Sequence, residues 1–149
     1  MSDHFGLDNN SVTLYIRISM TKILLVDDDT ELAAVFEAAL KKEGHDVILA
    51  YEGKAGLEKA KIEKPNVILL DQILPDITGN DVLKLIKDDP QTKIIPVAML
   101  SNFGQNELVQ EAMNRGAVDY ILKYQIETVD LVSKVKGILN ETQALQAAN

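Results

Sequence analysis

The sequence predicts an α/β fold of (βα)5 type, a doubly wound parallel sheet of five strands with helices on both faces. Two observations predict it. Five short, near-continuous apolar runs recur along the chain, at 23–26, 47–50, 67–70, 97–100 and 118–122. Each is followed by a segment of helical period, the alternation that βα units produce. Apolar strands that do not alternate with polar residues are what a sheet buried on both faces requires.

Residues 1–19 are polar and then weakly alternating at Val12, Leu14, Ile16 and Ile18, so they predict a flexible extension or a short added strand outside the core fold. Met20 directly precedes the first strong strand and is a candidate biological start, which a native N-terminal peptide beginning at Met20 or Thr21 would support. In the first helix Leu32, Val35, Phe36 and Leu40 share one face, and Gly44 stands where a left-handed C-terminal cap is wanted. A second helix runs over 53–63 and stops before Pro65. The third carries Val82, Leu83 and Ile86; the fourth carries Leu108, Val109, Ala112 and Met113 before Gly116. In the fifth, Leu131, Val132, Val135, Ile138 and Leu139 face inward. The expected domain is therefore 20–140, with 141–149 a polar, alanine-containing tail too short to be an output domain.

At 149 residues and 46% hydrophobic content, the chain has enough apolar material for one core. Fifteen basic against 23 acidic residues, a net charge of −8, argue against direct nucleic-acid or anionic-lipid binding and favour a cation or a protein partner. The lack of cysteine excludes disulfides, thiolate metal sites and thiol nucleophiles. No apolar run reaches the roughly 20 residues that span a bilayer, and the N-terminus has no secretory pattern, so a cytoplasmic protein without membrane insertion is expected.

Open parallel sheets bind ligands beyond the carboxyl ends of their strands. Those positions hold Asp27, Asp28 and Asp29 after the first strand, Asp71 after the third, Ser101 at the fourth and Lys123 at the fifth. Taken alone, the triplet reads as helix capping, with Asp28 and Glu31 at capping-box spacing, Ser101 as a solvated hydroxyl and Lys123 as a surface lysine. Their joint placement points elsewhere. Carboxylates about 4 Å apart repel by about 4 kcal/mol per pair at an effective dielectric near 20, so the cluster calls for a hard cation such as Mg²⁺. With a lysine and a hydroxyl added, the set suits a transferring phosphoryl group, and Asp71 is the candidate nucleophile.

The stretches Lys-Ile-Leu-Leu-Val-Asp-Asp at 22–28, Leu-Leu-Asp-Gln-Ile-Leu-Pro-Asp-Ile-Thr-Gly at 69–79, Pro-Val-Ala-Met-Leu-Ser at 96–101 and Asp-Tyr-Ile-Leu-Lys at 119–123 resemble the receiver domains of two-component response regulators. The resemblance implies a flavodoxin-like sheet of order 2-1-3-4-5. It implies phosphorylation of Asp71 by a histidine kinase or histidine phosphotransfer protein, with Ser101 and Lys123 assisting. Mg²⁺ would be held by Asp27, Asp28, Asp71 and the backbone carbonyl of Ile73. Ser101 and Tyr120 would switch with the modification, Asp29 would be a cap or surface acid, and Gly79 would turn the chain into the third helix. The implied protein is a single-domain regulator, not an enzyme beyond its own phosphorylation and dephosphorylation. Its fourth-helix, fifth-strand and fifth-helix face would be read by a downstream protein or by a second copy in a phosphorylation-dependent homodimer. His4 and His45 match nothing in such a site, and His45 reads as a surface residue.

Two positions depart from the pattern. Tyr124 stands where a proline in a cis peptide is usual; a non-proline cis bond costs about 2.5–4 kcal/mol, so a trans loop of different shape is expected, with an altered aim for Lys123. Asn102 replaces a commoner small residue and would narrow access to Asp71. Ile73 and Phe103 would flank the aspartyl phosphate, their apolar bulk slowing attack by water. Rival readings are a pseudo-receiver acting only as a docking module, which the Tyr124 departure favours, and an aspartate-nucleophile phosphohydrolase. The latter's Asp-x-Asp-x-Thr motif would need threonine where this chain has Glu31.

Overall fold

The computed structural model describes residues 20–148, and the predicted extension at 1–19 lies outside them. Strands β1 (Lys22–Val26), β2 (Asp46–Ala50), β3 (Val67–Leu70), β4 (Val97–Ser101) and β5 (Asp119–Leu122) alternate with helices α1 (Thr30–Lys42), α2 (Gly53–Glu63), α3 (Gly79–Asp88), α4 (Asn106–Asn114) and α5 (Thr128–Ala148). All pairings are parallel, and the sheet order is β2-β1-β3-β4-β5, as expected.

Successive strand residues point to opposite faces. Leu24, Val26, Ile68, Leu70, Val97 and Met99 therefore pack with Ala60, Val82, Leu83, Ile86 and Ala112 of α2, α3 and α4. Ile23, Leu25, Val67, Leu69, Ala98 and Leu100 pack with Phe36, Leu40, Leu131, Val135 and Leu139 of α1 and α5. Gly44 and Gly116 adopt the positive φ, +91° and +102°, that the cap reading asked for.

Four local expectations are corrected. Val35 is exposed and Ala33 takes its place in the core, because the α1 stripe drifts toward the residue that fits closest to the sheet. Met113 turns to solvent while Ala112 packs inward. Val118 lies outside β5 and is exposed; the last strand starts at Asp119. Finally α5 continues to Ala148, through the segment expected to be a tail, since that stretch has no proline or glycine to stop it.

Candidate functional site

The sheet's own hydrogen-bond ladder sets the site. Just past the strand ends, Asp27 N donates to Ala50 O at 2.9 Å, Asp71 N to Val26 O at 2.9 Å and Lys123 N to Ser101 O at 2.8 Å. Each chemical residue is thus held one step beyond its strand by a neighbouring strand. The side chains converge: Lys123 Nζ donates to Asp27 Oδ1 and Oδ2 at 3.1 and 2.9 Å and to Asp71 Oδ2 at 3.0 Å. These three residues are 1%, 5% and 5% exposed for Asp27, Asp71 and Lys123, so the ammonium is the counter-charge for two buried carboxylates. Asp28 is exposed beside them, and Asp27, Asp28 and Asp71 each bring a carboxylate oxygen within 4.8 Å of the others, a set that could hold a metal ion.

Burial pushes the Asp71 carboxyl up to about 6, with the Asp27 charge adding to the rise; the Lys123 hydrogen bond and charge and the Ile73 N–H oppose it. For Lys123 burial works against the ammonium, but hydrogen bonds to Asp27 and Asp71 and their negative charge outweigh it, so its pKa lies above the usual lysine value. The surroundings of Asp71 thus resist its ionisation, burial being the main cause.

Ser101 is fully buried at the end of β4, and its Oγ accepts from Phe103 N at 3.1 Å. The Tyr120 hydroxyl donates to Phe103 O. The two residues expected to switch are therefore both tied to the backbone of one residue in the β4–α4 loop. Burial, with the charge of Asp71, raises the Tyr120 pKa; the neighbouring Ser101 and Gln72 side chains act the other way. Ile73 N lies 3.4 Å from Asp71 Oδ1, and the Ile73 and Phe103 side chains are both about half exposed, at 50% and 44%.

Gly79 begins α3, and the space around it explains why glycine stands there. A Cβ would lie 2.2 Å from Asp71 O and 2.8 Å from Gln72 Cα, so only a bare backbone fits against the chain that carries Asp71. The loop between is fixed from outside by Asp76, whose carboxylate accepts from Gly53 N at 2.7 Å and Lys54 N at 2.9 Å. Asp76 so caps α2, whose own N-cap residue Glu52 makes no side-chain cap bond.

The Asp29 cap agrees with what the resemblance implies, while the expected aim of Lys123 and the expected exposure of His45 are corrected. The α1 cap is Asp29, accepting from Leu32 N at 3.1 Å; Asp28 is left free to face the site. The Tyr124 peptide is trans, as predicted, but Lys123 keeps its aim at both carboxylates. His45 is half-buried rather than on the surface, hydrogen-bonded through Nδ1 to Thr21 Oγ1, and its burial lowers its pKa. Sequence reasoning missed Gln72 and Asn80, both buried next to the site. A signal was present: Gln72 follows directly on Asp71 and the apolar run that ends at Leu70, and Asn80 stands in the first turn of a helix that packs inward.

Comparison with known proteins agrees with this geometry. The family described as "Response regulator receiver domain" matches residues 23–136. The chain is 37% identical over 121 residues to the response regulator ArlR of Staphylococcus saprophyticus, covering 80% of this chain and 53% of ArlR. It is 31% identical to protein PilH of Pseudomonas aeruginosa, covering 80% of this chain and 98% of PilH. The chain thus spans about half the length of several relatives and nearly all of another. Among solved structures, a CheY-like response regulator receiver domain protein from Methanospirillum hungatei superposes with a TM-score of 0.80 at 31% identity, covering 85% of this chain and 98% of that one.

Proposed function

Because the chain belongs to the response regulator receiver domain family, a regulatory family of two-component signalling, we propose that Asp71 is its phosphoacceptor. The observation that carries this reading is the buried contact of Lys123 Nζ with Asp27 and Asp71, an arrangement costly to build that holds a cation where a phosphoryl group on Asp71 would bring negative charge. An Asp71 oxygen attacks the phosphorus of a phosphohistidine on a histidine kinase or phosphotransfer protein. The O–P bond forms as the P–N bond breaks, and the leaving imidazole takes the electron pair and a proton.

The residues present fit a divalent cation, with Asp27, Asp28 and Asp71 as carboxylate ligands; the Ile73 backbone carbonyl would be the remaining protein ligand, as the family resemblance implies. When bound, Mg²⁺ supplies positive charge to the phosphoryl oxygens and relieves the carboxylate repulsion. Lys123 stays in contact with Asp71 and takes up part of the new charge. Ser101 Oγ, which now accepts from Phe103 N, turns its hydroxyl to a phosphoryl oxygen, and this loosens one of the two bonds holding the β4–α4 loop. Tyr120, tied to the same loop, follows. The α4–β5–α5 face, with its groove lined by Tyr120, Ile126, Asp130, Ser133 and Lys134, is the surface a downstream protein or a second copy would read. Among the described residues no helix is long and apolar enough to cross a membrane.

Intact-protein mass after incubation with acetyl phosphate or phosphoramidate and Mg²⁺ tests the reading. A gain of one phosphoryl group, lost in Asp71→Asn and with a chelator, is expected. No gain from these donors or from a phosphorylated kinase would leave the docking-module reading in its place. The half-exposed Ile73 and Phe103 side chains should also shield the aspartyl phosphate from water. Replacing both, as Ile73→Asn with Phe103→Glu, should speed dephosphorylation, and an unchanged decay would refute that role.

A further inference from the structure

Beside the site, on the α3–α4 side of the sheet, lies a polar chain that the phosphoryl chemistry does not use. Gln72 follows Asp71, and its Oε1 accepts from Asn80 N at 2.7 Å. The Asn80 side chain in turn donates through Nδ2 to Glu111 Oε2 of α4 at 3.0 Å. Arg115 closes the cluster from outside, with Nη1 on Asn80 O at 2.7 Å and Nη2 on Glu111 Oε1 at 2.6 Å. Both amides are buried, yet each has one idle atom: Gln72 Nε2, a donor, and Asn80 Oδ1, an acceptor, have no partner.

Buried polar atoms without partners are disfavoured. These two are complementary, and they belong to residues already joined by one hydrogen bond. The pair therefore has a second bonded arrangement, with Gln72 Nε2 donating to Asn80 Oδ1. A carboxamide is a rigid plane, so turning Asn80 Oδ1 onto Gln72 takes its Nδ2 off Glu111. The coupling to Asp71 is tight: Gly79 N donates to Gln72 O at 2.8 Å, and Gly79 leaves no space against Asp71 O for even a methyl group. A displacement of the Asp71 backbone reaches Asn80 without slack.

We propose that Gln72 and Asn80 form an amide latch: it holds α4 to the start of α3 through Glu111 while Asp71 is unmodified, and modification of Asp71 moves Asn80 onto Gln72 Nε2 and frees α4. The release half rests on Asp71 being the phosphoacceptor; the holding half does not. The latch gives α4 a control in addition to Ser101 and Tyr120, which act on the loop before it, and Gln72 neighbours the Tyr120 hydroxyl as well.

Amide hydrogen exchange over residues 106–114, with and without beryllofluoride and Mg²⁺ as the phosphoryl mimic, tests both halves. In the unmodified protein, Asn80→Leu and Glu111→Leu should exchange about tenfold faster or more in α4, as expected for losing a hydrogen bond to a charged group. Glu111→Gln, which keeps an acceptor for Asn80, should stay near the native rate. Loading the native protein should speed the same amides, and loading Asn80→Leu should add nothing. Gln72→Met keeps the bond to Glu111 but has no Nε2, so its α4 should stay protected on loading. Unchanged exchange in Glu111→Leu, whose side chain is partly at the surface and tolerates replacement if Asn80→Leu fails to fold, overturns the latch. A native-like response of Gln72→Met on loading overturns the exchange of partners. If the native protein takes up neither beryllofluoride nor a phosphoryl group, the phosphoacceptor reading and the release half fail, and the unmodified arm alone decides the holding half.

Discussion

The two faces of the sheet are built differently. On the α1–α5 side, the strands meet Phe36, Leu40, Leu131, Val135 and Leu139, an apolar contact in which no amide side chain is buried among the described residues. On the α2–α3–α4 side, the apolar cluster of Val82, Leu83 and Ile86 gives way near the strand ends to Gln72, Asn80 and the Gly79 contact. Apolar packing has one best arrangement and resists change, whereas a hydrogen-bonded cluster with idle atoms has more than one. Both faces bury apolar clusters of similar size and so carry stability; the second also holds the hydrogen-bonded amides next to Asp71.

The largest effect should come from the apolar face. Phe36 is 2% exposed, and Phe36→Ala should cost about 3–5 kcal/mol in a denaturant titration through lost burial and the cavity left behind. Phosphorylation of the folded fraction should be unchanged, because the hydrogen bond by which the start of α1 reaches the site, Asp29 N to Asp27 Oδ1 at 2.9 Å, comes from the cap and not from Phe36. A mass assay showing lost phosphorylation in protein still folded by circular dichroism would break the division between the faces.

The same division explains what the sequence made legible. Apolar runs and helical periods report burial, so the five strands, their helices and the residues ending the strands could be read directly. Periodicity does not report how close two backbones come. Gly79 was legible as a turn residue, but its contact with Asp71 O is a matter of space in three dimensions. Val35 and Met113 read as inward-facing for the same reason, since the pattern does not report which apolar residues of a helix lie closest to the sheet. Asp28 and Asp29 both suit a cap by spacing alone; the resemblance already points to Asp29, and the chain leaving β1 places the cap there. Gln72 and Asn80 lie far apart in pattern terms, one at a strand end and one in a helix's first turn; their pairing arises from the tight loop between them.

A smaller effect, of opposite sign, tests the charge at the junction of the two faces. With its pKa raised to about 6 from 3.8, Asp71 binds its proton more tightly in the folded chain than in the unfolded one. Its ionisation therefore opposes folding: the cost is complete above about pH 6 and vanishes below the unfolded value. Without divalent cations, Asp71→Asn should be more stable than the native protein by about 1–3 kcal/mol at pH 7, the rise from 3.8 to about 6 being worth up to about 3 kcal/mol. The gap should close as pH falls from 6 toward 4, and Mg²⁺ should narrow it at pH 7 by binding the native site alone. A native protein at least as stable as Asp71→Asn at pH 7 without metal would show that Lys123 fully compensates the pair.

The smallest effect concerns Asp76, which belongs to the loop linking the site to α2. Its two bonds to Gly53 N and Lys54 N replace a missing cap, and the Lys54 N–H is the main cause of its lowered pKa. The folded pKa lies below the unfolded one, so the stabilisation is present above the unfolded value and is lost as pH falls through the folded value. Asp76→Asn should melt slightly below the native protein at pH 7, with the difference fading in acid. Because the carboxylate is fully exposed, salt should weaken the effect as well. The informative readout is local: amide exchange should quicken at the start of α2 and leave α1 as it was. If α1 loosens equally, the loop does not act on its own side of the sheet, and the separation of the two faces is weaker than their composition suggests.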